Sequence, residues 1–321
     1  MDVLTYGEIK AAADRIAGHI RPVTLAPVDP GAIGTPETDV WLALEFMQHT
    51  GSFKARGARN FLAAHREAGT LPTAGVTIAS GGNAGLACAW AARAEGVKAT
   101  VFLPRTAPTV KAARLKSYGA EVRLVGAEYA EALAACEAFA AETGALASHA
   151  YDHPLIASGA GTLLDEIRCT VPGLDTVVVA VGGGGLFAGV ATAAQHHGVR
   201  VVAVEPENCR ALNAAVEAGR AVDVGVDSIA ADSLGARRTS ETALHAARHG
   251  DVHSVLVTDA AIVDARRALW DHRRVAVEHG AACALAALTS GVYVPFDGEQ
   301  VAVVLCGANT DPSDLTRSPA S

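Results

Sequence analysis

TVVVAVGGGGLFAGV, residues 176–190, sets a valine-rich run against four consecutive glycines and then an alanine-rich continuation. Residues 177–194 are nearly all apolar and mimic a membrane span, yet four central glycines would weaken a helix by about 1 kcal/mol each relative to alanine. A buried strand (TVVVAV), a glycine turn and a helix from about Leu186 fit the composition better. In that arrangement backbone N–H groups and the helix dipole hold an anion, and glycine lets the chain approach a phosphate closely. Gly183, Gly185 and Ala188 also satisfy GxGxxA, and Glu205 lies 20 residues beyond Gly185, where a dinucleotide-binding unit places its ribose ligand. On these residues alone an NAD site, another phosphate site and a tight packing turn all remain open.

The same rhythm runs outward along the chain. VWLALEF (40–46), GVTIA (75–79), KATVFL (98–103), EVRLV (121–125), VRVVAVE (199–205) and VAVVLC (301–306) read as strands, mostly leading into alanine-rich helical patterns. Strands alternating with helices predict parallel sheets covered on both faces, with ligands bound beyond the carboxyl ends of the strands. At 321 residues the chain is long for one core, so two α/β domains or one large unit are expected. A composition of 50% hydrophobic and 19% charged residues is globular, and a net charge of -8 argues against nucleic-acid or anionic-membrane partners. The expected partner is a small molecule. Six scattered cysteines form no CxxC pair or ligand-spaced cluster, so they read as reduced cytoplasmic thiols rather than a disulfide or zinc framework. The N-terminus reads as an amphipathic helix capped by Thr5, not as a signal peptide.

Two further loops carry chemistry. IASGGNAGLACAWAARAEG (78–96) presents Ser80, Gly81, Gly82 and Asn83 at a helix start, a setting suited to a carboxylate, although in isolation an ordinary N-cap by Ser80 or Asn83 is the better explanation. HTGSFKARGA (49–58) places Lys54, one of only five lysines, among glycines and beside Phe53.

GSFKARGA, SGGNAG, VGGGGL and LCGAN, in that order, resemble the fold type II pyridoxal phosphate enzymes, particularly the serine and threonine dehydratases and the related serine racemases. The resemblance covers the whole chain and includes the quieter segments LKSYGAEVRLVG, HAYDHPLIASGAGTLLDEI and VEHGAACALAAL. It implies an α/β fold of the tryptophan synthase β-subunit type, with two parallel-sheet domains and the cofactor between them. Residues 1–72 and 152–321 would form the large domain and 73–151 the small inserted one. Lys54 would be the covalent anchor of pyridoxal 5'-phosphate and the catalytic base, which requires a lowered amine pKa. Phe53 would pack on the pyridine ring, and Gly182, Gly183, Gly184, Gly185 and Leu186 would line the phosphate. Asn83 would bond the ring hydroxyl, while Ser80, Gly81, Gly82, Asn83 and Ala84 would receive the substrate carboxylate. Cys306 would face the ring nitrogen, where a thiol cannot keep the nitrogen protonated as an aspartate would.

The implied reaction is β-elimination from a hydroxyamino acid such as L-serine or L-threonine, yielding a 2-oxo acid and ammonia. Gly81 stands where the related racemases carry a second serine, which speaks against efficient racemisation. Ala55 stands where threonine synthases and sulfhydrylases carry aspartate. Glu205 matches the first carboxylate of a divalent-metal site in some relatives, but Ala211 occupies the second position, so no complete metal site is expected. Paired histidines such as His149 with His153, His196 with His197 and His245 with His249 lack a third ligand and read as solvated faces or caps. A homodimer is expected by analogy. An NAD-dependent oxidoreductase would leave Lys54 and the asparagine loop unexplained. A binding protein that has lost catalysis is the remaining alternative.

Overall fold

The structure, a computed structural model, describes residues 3–29, 31–35 and 38–316. Among these residues the strands are β1 (Leu25–Val28), β2 (Asp39–Ala43), β3 (Val76–Ala79), β4 (Ala99–Leu103), β5 (Glu121–Leu124), β6 (Leu146–Ala147), β7 (Thr176–Ala180), β8 (Arg200–Pro206), β9 (Val252–Val257) and β10 (Gln300–Val304). The helices are α1 (Tyr6–Ile16), α2 (Lys54–Glu67), α3 (Asn83–Ala94), α4 (Thr109–Ser117), α5 (Tyr129–Thr143), α6 (Pro154–Thr170), α7 (Gly185–His197), α8 (Ala211–Ala218), α9 (Ala231–Leu234), α10 (Glu241–His249), α11 (Asp259–Arg273) and α12 (His279–Thr289). One sheet has the order β1-β2-β10-β7-β8-β9 and the other β5-β4-β3-β6. Every pairing is parallel except β1 with β2.

Parallel pairing follows from burial on both faces. All five residues of β7 are buried, as are those of β4, and such strands read as unbroken apolar runs rather than alternating ones. The expected strands appear with small changes at their ends. VWLALEF is extended only to Ala43, because Glu45–Met47 turn in a 3-10 helix that carries Glu45 inward to Arg56. Three strands had no clear mark in the sequence. β1 contains Pro27 and lies at a sheet edge, where a missing N–H is tolerated; β6 has only two residues; β9 is the opposite edge, and its His253 and Ser254 dilute the apolar run. At the N-terminus Thr5 caps α1 in a reciprocal box with Glu8, as expected.

The larger core surrounds the six-stranded sheet and includes Phe187 of α7, Leu163 of α6 and Leu285 of α12. A second core lies around the four-stranded sheet, yet it draws Phe61 and Leu62 from α2 and Ile156 from α6. The helix that begins with Lys54 is thus packed into both halves of the molecule, with Arg56 sealed at its first turn by paired hydrogen bonds to Glu45 and Glu166. No helix among the described residues is long and apolar enough to cross a membrane.

Candidate active site

The turn before α2 is shaped by unusual backbone. Thr50 has φ +63°, rare for a β-branched residue, and Gly51 follows at +78°. A Cβ on Gly51 would sit 2.6 Å from Asn309 Oδ1, so glycine is required by space as well as by angle. Ser52 then forms a β-bridge with Gly307, and Phe53 N–H donates to the Cys306 carbonyl at 2.9 Å. The Lys54 loop is in this way pinned to the chain leaving β10. Lys54 Nζ donates to the Ala150 carbonyl at 2.8 Å and lies 4.7 Å from the centre of the Phe53 ring. Burial draws its pKa down to about 8, against the opposing pull of Cys306 and Glu278.

Ser80, Gly81 and Gly82 follow β3, and Asn83 is the first residue of α3. The ordinary capping explanation fails: Gly82 is the N-cap, and no side chain caps this helix. Asn83 instead reaches across to the other half of the molecule. Its Nδ2 donates to Glu278 Oε1 at 2.7 Å, and its Oδ1 accepts from Asn309 Nδ2 at 2.6 Å. Asn309 Nδ2 also donates to the Thr50 carbonyl at 2.8 Å. Glu278, buried against Gly307, has its carboxyl raised above the usual range by burial, with the Asn83 bond opposing. A side chain on Gly307 would collide with Glu278.

The glycine turn follows β7 and opens α7 at Gly185, one residue before the expected start. Gly184 has φ +95°, and a Cβ there would collide with Ala243 and lie 2.9 Å from Thr239 Oγ1. A Cβ on Gly183 would run into the Tyr151 ring, which covers the turn while Tyr151 O–H donates to the Arg238 carbonyl. Ala150 touches Lys54 and Tyr151 covers Gly183, so two consecutive residues connect the amine to the glycine turn. The Ser80 loop, Ala150 with Tyr151, the glycine turn and Cys306 follow the carboxyl ends of the parallel strands β3, β6, β7 and β10, the side of such sheets where ligands bind, while Glu278 reaches them from the start of α12. At the end of β10, burial pushes the Cys306 thiol up to about 12, reinforced by Glu278, so it is neutral near pH 7.

A pyridoxal-phosphate dependent enzyme family model matches residues 16–307. The chain belongs to that family, and its cofactor is pyridoxal phosphate. Among curated relatives of this family member, L-threonine ammonia-lyase of Geobacter sulfurreducens is 34% identical over 319 residues, covering 98% of this chain and 78% of the relative. Serine dehydratase-like of Homo sapiens is 36% identical over 284 residues, covering 84% and 85%. The structure of maize serine racemase superposes with a TM-score of 0.90 at 29% identity, covering 98% of this chain and 96% of that one. The fold type II architecture implied by the four motifs is therefore shown.

The residues present fit the cofactor. The buried Thr239 hydroxyl beside Gly184 has no hydrogen-bond partner among the described residues, which leaves a donor free for a phosphate. A bare glycine turn at the start of a 13-residue helix supplies N–H groups, and a lysine amine with a lowered pKa suits an aldehyde.

Sequence reasoning did not assign Glu278, Asn309, Tyr151 or Thr239 to the site. LCGAN and VEHGAA contained two of them, but only the spatial meeting of β10, α12 and α3 gives them partners. Glu205, raised to about 7 by burial, accepts from Leu212 N–H and Asn213 N–H and serves as an anchor for α8. Among the described residues no group of three or more His, Cys, Asp or Glu is placed to hold a metal ion. His153 caps α6, His197 pairs with Asp165, and His245 stacks on His249 at an exposed surface. His149 accepts from the N–H groups of Tyr151 and Asp152 and shapes the turn that covers the glycine loop.

Proposed function

We propose that the chain is an ammonia-forming lyase that removes the β-hydroxyl of a small hydroxyamino acid such as L-serine or L-threonine, leaving a 2-oxo acid. The observation that carries the reading is the Lys54 amine, drawn to about 8 beside the Ala150 carbonyl, in a chain whose relatives include a threonine ammonia-lyase and serine dehydratase-like proteins. Bound pyridoxal phosphate supplies a conjugated electron sink next to the substrate's α-carbon. Ser80, with the amides of Gly81, Gly82, Asn83 and Ala84 at the start of α3, binds the substrate carboxylate. With its amine unprotonated, Lys54 would take the Cα proton; the Cβ–O bond then breaks and the hydroxyl departs with a proton as water. The released enamine hydrolyses to the 2-oxo acid and ammonia.

Gly182, Gly183, Gly184, Gly185 and Leu186 would hold the phosphate, Phe53 would pack on the ring, and Asn83 would bond its hydroxyl. Cys306, neutral because its thiol is pushed to about 12, would serve as the ring-nitrogen partner without protonating it, which would weaken the sink and favour prompt loss of the β-substituent. Residues 73–151 close as a small domain over the rest, and the protein works in the cytoplasm as a homodimer.

The test is 2-oxo acid release by the purified holoenzyme from L-serine, L-threonine and a panel of β-substituted amino acids. Turnover abolished by Lys54→Ala, together with the visible band of the bound cofactor, supports the proposal. A full cofactor band with no turnover of any hydroxyamino acid would point to a binding protein. D-amino acid formation should be slower than elimination, because Gly81 offers no hydroxyl to return a proton to the opposite face.

A further inference from the structure

Asn83, Glu278 and Asn309 form a chain of hydrogen bonds whose direction is set at its ends. The Thr50 carbonyl can only accept, so Asn309 must turn its amide nitrogen toward it, at 2.8 Å. That nitrogen has a second proton, and it meets Asn83 at 2.6 Å; Asn83 must therefore offer its oxygen there. The amide nitrogen of Asn83 is then left facing the Glu278 carboxyl, which accepts at 2.7 Å. The surroundings allow little escape from this arrangement. Asn309 Oδ1 is confined by Gly51, where even a Cβ would lie 2.6 Å away, and Glu278 is pressed on Gly307 while its backbone N–H donates to the Gly307 carbonyl at 3.1 Å. One N–H of Asn83 is used by Glu278, and the other stays available.

We propose that Asn309 and Glu278 are positioning residues that lock the Asn83 amide with its N–H edge, never its carbonyl, toward the cofactor ring. The inference rests on the reading that Asn83 contacts the ring hydroxyl. A donor at that point favours the ring oxygen as an anion, and an inverted amide would set oxygen against oxygen. The lock also couples three chain segments, since Asn309 holds the strained Thr50 turn that leads to Lys54 as well as the first residue of α3.

The experiment compares purified holoenzymes carrying Asn83→Ala, Asn309→Asp, Asn309→Ala and Glu278→Gln. It reads the absorption spectrum of the bound cofactor and the pyridoxal phosphate affinity of each apoenzyme, with apoenzyme melting as the folding control. Asn309→Asp puts an acceptor against Asn83 Oδ1 and the Thr50 carbonyl, so the cofactor should bind about tenfold more weakly and the band should shift toward the neutral ring form. Glu278→Gln can still accept from Asn83 and should stay within about twofold of the parent. Asn309→Ala removes both donors without adding repulsion; it should shift the band in the same direction, and it carries the test should Asn309→Asp not fold. A parental spectrum and affinity in the folded Asn309 variants would overturn the proposal. A Glu278→Gln loss as large as that of Asn309→Asp would overturn the role of Glu278, since charge rather than orientation would then matter. An unchanged Asn83→Ala spectrum would instead overturn the underlying reading of Asn83, which separates the two failures.

Discussion

Burial strips Lys54 of much of the advantage of its charge. Between pH of about 8, its folded value, and 10.5, its ordinary one, the unfolded chain holds a proton that the folded apoenzyme has released. Apoenzyme stability therefore rises with pH across that window, and the full cost of the buried cation is present below it. Only the unprotonated amine attacks an aldehyde, so recapture of pyridoxal phosphate by apoenzyme should accelerate about tenfold per pH unit below about 8 and level off above it. Stopped-flow absorbance checks this, and a flat profile from pH 6 to 9 would sink it. Gly183 and Gly184 make a second residue-level case. Gly184→Ala combines a φ of +95° with a collision against Ala243, so it should cost stability as well as cofactor affinity. Gly183→Ala meets the Tyr151 ring, and the double variant Gly183→Ala with Tyr151→Ala should regain cofactor affinity lost by the single one, measured by equilibrium titration.

The elements that carry the site are held by buried charge as well as by apolar packing. Arg56 stands two residues after Lys54, fully buried, and is bonded by Glu45 and Glu166 on both edges of its guanidinium. The paired carboxylates more than offset its desolvation and hold its pKa above the ordinary value, while burial holds Glu45 above the carboxylate range. Arg56→Met should destabilise the fold by about 3–5 kcal/mol, because it strands Glu45 without a partner in the core. The measure is the denaturation midpoint of the apoenzyme, and a loss under 1 kcal/mol would contradict it. At α8, Glu205→Ala removes the acceptor for two backbone N–H groups and should cost about 1–3 kcal/mol by the same assay. That loss is expected to leave the cofactor spectrum unchanged, which distinguishes an anchoring role from one in the cofactor site.

At the scale of the whole molecule, the two sheets meet around the crevice through α2, the Asn83 contacts and a pair near its rim. Lys111 of α4 donates to Asp232 of α9 at 2.7 Å, and its stem lies beside Gly81, where a Cβ would be 3.6 Å from Lys111 Cδ. The pair is exposed, at 35% and 72% for the two side chains, so it contributes about 0.2–1 kcal/mol at most to holding α4 against α9. Lys111→Ala should raise the KM for the amino acid by up to about fivefold, leave kcat within about twofold and reduce the salt dependence of KM. An unaltered KM at low salt would exclude this pair from substrate capture.

How much of this was legible in one dimension varies with the range of the forces involved. Valine runs, the glycine turn and the Thr5 cap are local, because covering both faces of a strand or satisfying a helix end depends on adjacent residues. They sufficed for the parallel α/β design, and four motifs in order sufficed for the family and its cofactor. Pro27 in β1 and the polar residues of β9 hid edge strands, since edges tolerate what central strands reject. Glu278, Asn309, Tyr151 and Thr239 were silent for another reason: each is an ordinary residue until an acceptor, a ring or a glycine from a distant segment stands opposite it. The sequence by itself determined the family and its cofactor, since each motif is written in a few neighbouring residues. Only the tertiary structure decided which way the Asn83 amide faces, because hydrogen-bond direction is set by acceptors more than 30 residues away in the chain, at Thr50, and by partners at Glu278 and Asn309 separated from it by 195 and 226 positions.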